Sequence, residues 1–176
     1  MGNHENSWLG PQKRAKPLVR AGVLLGLGLG GFFDGIVIHQ ILQWHHMLTS
    51  HPNPSVANDI RLNMMADGLF HVATYAFTVL GIVLLWRAWR TPVVPRSGRT
   101  LLGSTVLGWG CFNLIEGIVD HHLLGIHHVW PAGPGPVLLW DLVFLASGVL
   151  FVVVGYIVIR NTKSVPEPSE TETISH

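Results

Sequence analysis

Two stretches of this chain carry the same acidic and histidine residues in the same register, and these are residue types that bind metal ions. Asp34-Gly35-Ile36-Val37-Ile38-His39-Gln40-Ile41-Leu42-Gln43-Trp44-His45-His46 aligns with Glu116-Gly117-Ile118-Val119-Asp120-His121-His122-Leu123-Leu124-Gly125-Ile126-His127-His128 at a shift of 82 residues. Over the window 20–46 against 102–128, ten of 27 positions are identical, including Gly26/Gly108, Gly28/Gly110, Gly35/Gly117, His39/His121 and both His-His pairs. An acid meets an acid at Asp34/Glu116. Carboxylate and imidazole ligands suit iron, zinc, manganese or copper(II), whereas copper(I) favours thiolates and thioethers. The candidate metal ligands are Asp34, His39, Asp67, His71, Glu116, His121 and Asp141. His45, His46, His122, His127 and His128 form an accompanying set. His45-His46 and His127-His128 fall past the apolar runs, where histidines are easily tolerated, and read as a loading site or as bystanders.

The spacing fits no standard metal motif. Ferritin-like carboxylate centres use Glu-x-x-His, but here an acid precedes a histidine by five residues in both stretches. The histidine clusters match neither the His-x-x-x-His nor the His-x-x-His-His pattern of membrane desaturases and hydroxylases. Copper gains some support from Met47, Met64 and Met65, which lie near the histidines in sequence. A bound metal would serve as a redox centre or activate water, and a lipid-soluble substrate suits the location. Other readings stay open: metal delivery or transport, a proton or ion pathway lined by the four acids, and a bis-histidine haem through His39 and His121. The acids and histidines could also simply hydrogen-bond one another.

The elements that position these residues are apolar helices. Of 176 residues, 48% are apolar and only 12% are charged, about half the charge of an average soluble domain. The net charge of +1 gives no sign of a nucleic-acid partner, since the basic residues form no patch, and none is expected. The single cysteine, Cys111, excludes a disulfide framework within the chain. Four apolar runs, 18–44, 60–86, 100–124 and 137–159, are each long enough for the ~20 residues that a membrane crossing takes. Pro52 and Pro54, then Pro92 and Pro95, then Pro131, Pro134 and Pro136 punctuate the links between them. Ten of eleven Lys and Arg residues fall at one end of these runs, Arg61 being the exception. The positive-inside rule makes that end cytoplasmic.

The expected fold is all-α, a four-transmembrane-helix bundle built from two parallel helical-hairpin repeats (18–89 and 100–160) with both termini cytoplasmic. The membrane domain spans 18–159, between polar tails at 1–17 and 161–176. At a shift of 74, Asp67 meets Asp141, Phe70 meets Phe144, Phe77 meets Phe151 and Gly81 meets Gly155. A rise of 1.5 Å per residue puts the four acids at a similar depth, roughly 21–24 Å along their helices. Gly22, Gly26, Gly30 and Asp34 form one i+4 stripe, and Gly31 and Gly35 another leading to His39. Such stripes mark close helix approach. The halves are not identical: His71 faces Leu145, Gln40 faces His122 and Ile38 faces Asp120. Partners beyond the lipid bilayer would be a second copy of the chain or a periplasmic or membrane protein.

The segments around Asp34, Asp67-Gly68-Leu69-Phe70-His71 and Glu116 resemble a bacterial family of predicted multi-pass membrane proteins, the domain-of-unknown-function family numbered twenty-two forty-three. The resemblance implies a protein of the bacterial cytoplasmic membrane and brings no activity with it.

Overall fold

The computed structural model describes residues 11–162. The first ten residues and 163–176, which include Lys163 and most of both expected tails, lie outside the described residues. Helix α1 runs over Pro11–Phe33 and continues without a break into a π-helical segment, π1, over Asp34–Ile41. A short helix α2 (Pro54–Ala57) precedes the long α3 (Ile60–Trp89). Then α4 (Gly98–Glu116) leads into a second π segment, π2 (Gly117–Leu123), and α5 (Val137–Arg160) closes the described chain. Helix α1 thus begins inside the segment expected as polar tail. The sequence supplies the helix starts: Asp59 accepts the Leu62 N–H at 3.0 Å, and Ser97 accepts the Thr100 N–H at 3.2 Å. Side-chain oxygens of this kind satisfy the orphan donors of a first turn.

Four helical stretches are long and apolar enough to cross a membrane: Lys13–Ile41, Ile60–Trp89, Gly98–Leu123 and Val137–Arg160. Their interior inverts a soluble core. Buried apolar side chains are few (Leu18, Ala21, Ala88, Val94 and Val129), while Leu69, Val72, Leu80, Leu139 and Leu150 are at least half exposed. A soluble protein rarely leaves so much apolar surface open, whereas lipid chains cover it without cost.

Glycines set the packing. A Cβ on Gly26 would overlap the Thr105 carbonyl oxygen, and one on Gly108 the Val23 carbonyl oxygen, so α1 and α4 meet backbone to backbone and run parallel. Gly28 and Gly31 admit Thr78 and Thr74 of antiparallel α3, and Gly103 and Gly110 admit Gly155 and Gly148 of antiparallel α5. Helices α1 and α4 are therefore central. Helix α3 packs on α1 and α5 on α4, with no close backbone approach of either outer helix to the other or to the far central helix among the described residues. This is a row of four helices rather than a square bundle.

Candidate metal centre

The two π segments explain the five-residue spacing from acid to histidine. On an α-helix, residues five apart diverge by about 140°; with i→i+5 hydrogen bonding they stack on one face. Asp34 and His39 accordingly share a side, with Oδ2 and Nε2 2.9 Å apart. Leu42 donates to the Val37 carbonyl and Leu124 to the Val119 carbonyl, both at 2.8 Å, five residues back in each half. The chain then turns sharply through a left-handed residue, Gln43 (φ 51°) in one half and Gly125 (φ 58°) in the other. That conformation is cheap for Gly125 and costs Gln43 on the order of 1 kcal/mol.

These turns bring the loop histidines back into the protein. His45 and His127 are 2% and 0% exposed, so they lie inside the cluster and not at the surface where their position past the spans suggested. The two loops also cross. His45 Nδ1 donates to the Val129 carbonyl at 2.8 Å, and His127 Nδ1 donates to the Met47 carbonyl at 3.2 Å. The Ser50 N–H adds a bond to the Ile126 carbonyl at 2.8 Å. The imidazoles of His45 and His127 stack 4.7 Å apart, with His39 packed on one side and His121 on the other.

Asp67 and Asp141 stand behind the histidines. Asp67 accepts from His39 Nδ1 at 2.9 Å, from His46 Nδ1 at 2.7 Å and from the Met47 N–H at 2.9 Å. Asp141 accepts from His128 Nδ1 at 2.7 Å and from the Val129 N–H at 3.0 Å. Its distance to His121 Nδ1 is 3.6 Å, too long for a hydrogen bond. His46 and His128 thus anchor the loops to carboxylates rather than facing the centre. His71 donates Nδ1 to the Asp67 backbone carbonyl at 2.7 Å and packs beside Gly35. His122 donates to the Gly117 carbonyl at 2.7 Å and is exposed. Neither joins the cluster. Met64 and Met65 are 65% and 58% exposed, and Met47 contributes backbone groups.

What remains is a set of buried polar atoms without a hydrogen bond, among which His39 faces Asp34 at 2.9 Å and His127 Nε2 faces Glu116 at 3.4 Å. Asp34 Oδ2, both Glu116 oxygens, both His121 nitrogens and Nε2 of His39, His45 and His127 have no hydrogen-bond partner, and outside the cluster neither does His71 Nε2. Each orphaned polar atom costs about 1–3 kcal/mol. The cost is sharpest between His39 and Asp34. His39 gives its Nδ1 proton to Asp67, so a neutral ring points an Nε2 lone pair at a carboxylate oxygen 2.9 Å away. Either a second ring proton, making His39 an imidazolium paired with both carboxylates, or a cation must sit between them. The donors form three overlapping triads, His39/His45/His127, Glu116/His121/His127 and Asp34/His39/Glu116, each with its ligand atoms within 4.8 Å of one another. Burial also holds His45 in its neutral form, with a pKa lowered to about 4. His127 is pushed well below its ordinary value by burial and then by the neighbouring His45 and His121. Neutral imidazole is the metal-binding form.

A second feature adjoins the cluster. A cavity of about 480 Å³ lies between α1 and α5 over α4, with Asp34 at its edge and Asn113 and Ser147 in its wall. Sequence reasoning passed over Asn113 and Ser147; a lone amide and hydroxyl within long apolar runs were the available signal.

Fold and site together define a helical membrane protein with a buried acid–histidine cluster at the loop-bearing end of its helices. The chain belongs to the family described as predicted membrane protein (DUF2243), whose family model matches residues 21–162. No curated protein and no solved structure matches it.

Proposed function

We propose that this protein is an intramembrane metalloprotein whose centre is held by Asp34, His39, His45, Glu116, His121 and His127. The carrying observation is the division of labour within the rings. Nδ1 of His39, His45 and His127 is anchored outward to a carboxylate or carbonyl, while Nε2 makes no hydrogen bond and, in His39 and His127, faces the carboxylates of Asp34 and Glu116. Metal-ligating histidines are oriented in this way by their outer-shell acceptors. An all-nitrogen-and-oxygen donor set favours iron, zinc, manganese or copper(II). Because the donors fall into overlapping triads that share Glu116, His39 and His127, these residues would hold one or two ions, which would supply redox chemistry or water activation.

The two halves derive from a duplicated hairpin, with a pseudo-two-fold axis along the membrane normal. Arg20, Arg87, Arg90, Arg96, Arg99 and Arg160 put the termini in the cytoplasm of a bacterial cell and the centre toward the outer face. A resident cofactor is favoured over a conduit because the path to the cytoplasm is closed. Gly22, Gly26 and Gly108 seal the seam between α1 and α4, and the buried Ser104 hydroxyl bonds back to the Thr100 carbonyl of its own helix at 2.7 Å. A haem between His39 and His121 is disfavoured, since His45 and His127 pack directly between those rings. The chemistry assigned to the centre is redox or water activation on a membrane-soluble substrate. Elemental analysis of protein purified in lipid nanodiscs tests the reading. One to two ions per chain are expected, falling sharply in His127→Ala. Folded wild-type protein that takes up none of the four metals refutes it.

A further inference from the structure

The two halves differ where a cavity opens between α1 and α5. In the register that pairs the halves, the α1–α5 crevice over α4 has a counterpart between α4 and α3 over α1. Gly30 beside the first corresponds to Phe112 beside the second. The Phe112 ring fills that counterpart, since it lies in close contact range of a Cβ placed on Gly31 and 6.0 Å from the Phe70 ring. On the α5 side the corresponding residue is Gly30, against which Trp109 and Phe112 of α4 pack closely, and no ring of α1 fills the space beyond them. The same comparison sets Asn113 against Gly31 and Ser147 against Ala73, so the open crevice also has polar groups where the closed one has none.

The crevice is built for a ring. Phe33, Trp109, Phe144 and Phe151 make aromatic walls, and Trp44 and Trp140 line it as well. Trp44 stacks on Trp130 at 4.3 Å, and Trp130 packs on Trp140 at 5.0 Å. Phe33 and Val143, also lining residues, are 47% and 53% exposed, so the crevice opens sideways toward lipid. Among the apolar surfaces sits one polar couple. Asn113 Nδ2 donates to Ser147 Oγ at 2.9 Å, and Ser147 in turn donates to the Phe144 carbonyl at 2.6 Å. The other amide N–H and the Oδ1 of Asn113 have no hydrogen-bond partner among the described residues. A pocket of a few hundred Å³, largely apolar with a few placed polar groups, is the usual form of a small-molecule site.

We propose that this crevice binds a membrane-soluble quinone-type molecule, its flat ring between the aromatic walls, its ring oxygen on Asn113 and its apolar tail toward lipid. An acyl chain has no use for aromatic walls or an unpaired amide. The proposal deepens the metal-centre reading, because Asp34 belongs to both the crevice and the cluster, so a bound ring would lie beside the metal. Binding itself does not depend on the metal.

The test is titration of nanodisc-embedded protein with decylubiquinone, read as quenching of tryptophan fluorescence. Saturable quenching with one probe per chain is expected. Ser147→Phe, which fills the crevice, abolishes it. Asn113→Leu weakens it about three- to tenfold, the worth of one neutral hydrogen bond. Ala73→Phe, at the corresponding but exposed position of α3, leaves it unchanged. Thermal midpoints of all three variants stay near the wild-type value and show that they are folded. Non-saturable quenching in the wild type overturns the proposal, as does an unchanged affinity in folded Ser147→Phe. Equal competition by n-decane marks an acyl-chain groove and overturns it too. Saturable binding in protein that takes up no metal leaves this site standing and removes only the metal reading.

Discussion

Replacing Asp67 and Asp141 separately by asparagine tests whether carboxylates behind the histidines orient them for metal. Asp67 holds three donors: His39 Nδ1, His46 Nδ1 and the Met47 N–H, at 2.9, 2.7 and 2.9 Å. Asparagine keeps one oxygen, which can still accept from His39 and Met47 as a neutral group. Its amide nitrogen then faces the donor of His46, and that bond is lost. A hydrogen bond to a charged group is worth about 1.5–3 kcal/mol and a neutral one about 0.5–1.5, so His39 loses roughly 1–1.5 kcal/mol of orientation. At about 1.4 kcal/mol per tenfold, metal affinity falls about tenfold, the low end for an outer-shell change. Asp141 differs in one distance. His121 Nδ1 is 3.6 Å away, beyond hydrogen-bond range, so Asp141→Asn loosens the loop through His128 and Val129 but removes no direct support from a ligand. Its effect on affinity is therefore clearly the smaller of the two. Zinc binding in nanodiscs, measured by competition with a fluorescent chelator, separates the two. Equal losses in both variants, or no loss in folded Asp67→Asn, would refute the orienting role.

Two further perturbations probe other levels of the structure. Acidification should destabilise the metal-free protein between about pH 6.5 and pH 4, because His45, held near 4 by burial, binds a proton more readily when unfolded. In that window the unfolded state carries the extra proton, so stability rises with pH and is lost as pH falls. Thermal midpoints in detergent should show this slope, reduced in His45→Phe, and a flat profile through the window would contradict it. Gly108→Val should lower the midpoint strongly, since even a Cβ there meets the Val23 backbone and overpacking typically costs about 1–3 kcal/mol. Gly68→Ala, with open space around it, should raise the midpoint slightly through helix propensity. If Gly108→Val is as stable as the wild type, the backbone seam between α1 and α4 is misdescribed.

Hydropathy sufficed for the four spans, and the glycine stripes indicated which faces meet: Gly22 and Gly26 turn toward α4 and Gly31 and Gly35 toward α3. Six of the residues singled out in the sequence, Asp34, His39, Asp67, Glu116, His121 and Asp141, are buried at the site. Their ranking was less legible. Asp67 and Asp141 have the same type and depth as Asp34 and Glu116, yet they stand behind the histidines, because α3 and α5 are outer helices and reach only the backs of the rings. Hydrophobic periodicity reports that a helix has a buried face; it does not report whether that helix is central or flanking.

The loop histidines carry the larger lesson about spacing. Position past the end of an apolar run argued for a surface location, and nothing in composition opposed it. Their burial follows from two local departures that compose. The π segments widen each turn so that acid and histidine five residues apart share a face, and the left-handed residues Gln43 and Gly125 then reverse the chain toward the axis. Both departures occur at aligned positions in the two halves, and Gln43 takes a conformation that disfavours its side chain. Local strain kept at Gln43, where the other half has a glycine, is expected where it delivers something the fold uses. Here it delivers His45 and His127 with Nδ1 spoken for and Nε2 turned inward. The crossing also makes each half depend on the other, since each loop histidine is oriented by a carbonyl from the opposite loop. A single hairpin therefore lacks not just half the buried acids and histidines but the groups that aim the histidines it has, and the cluster belongs to the pair of hairpins as a unit.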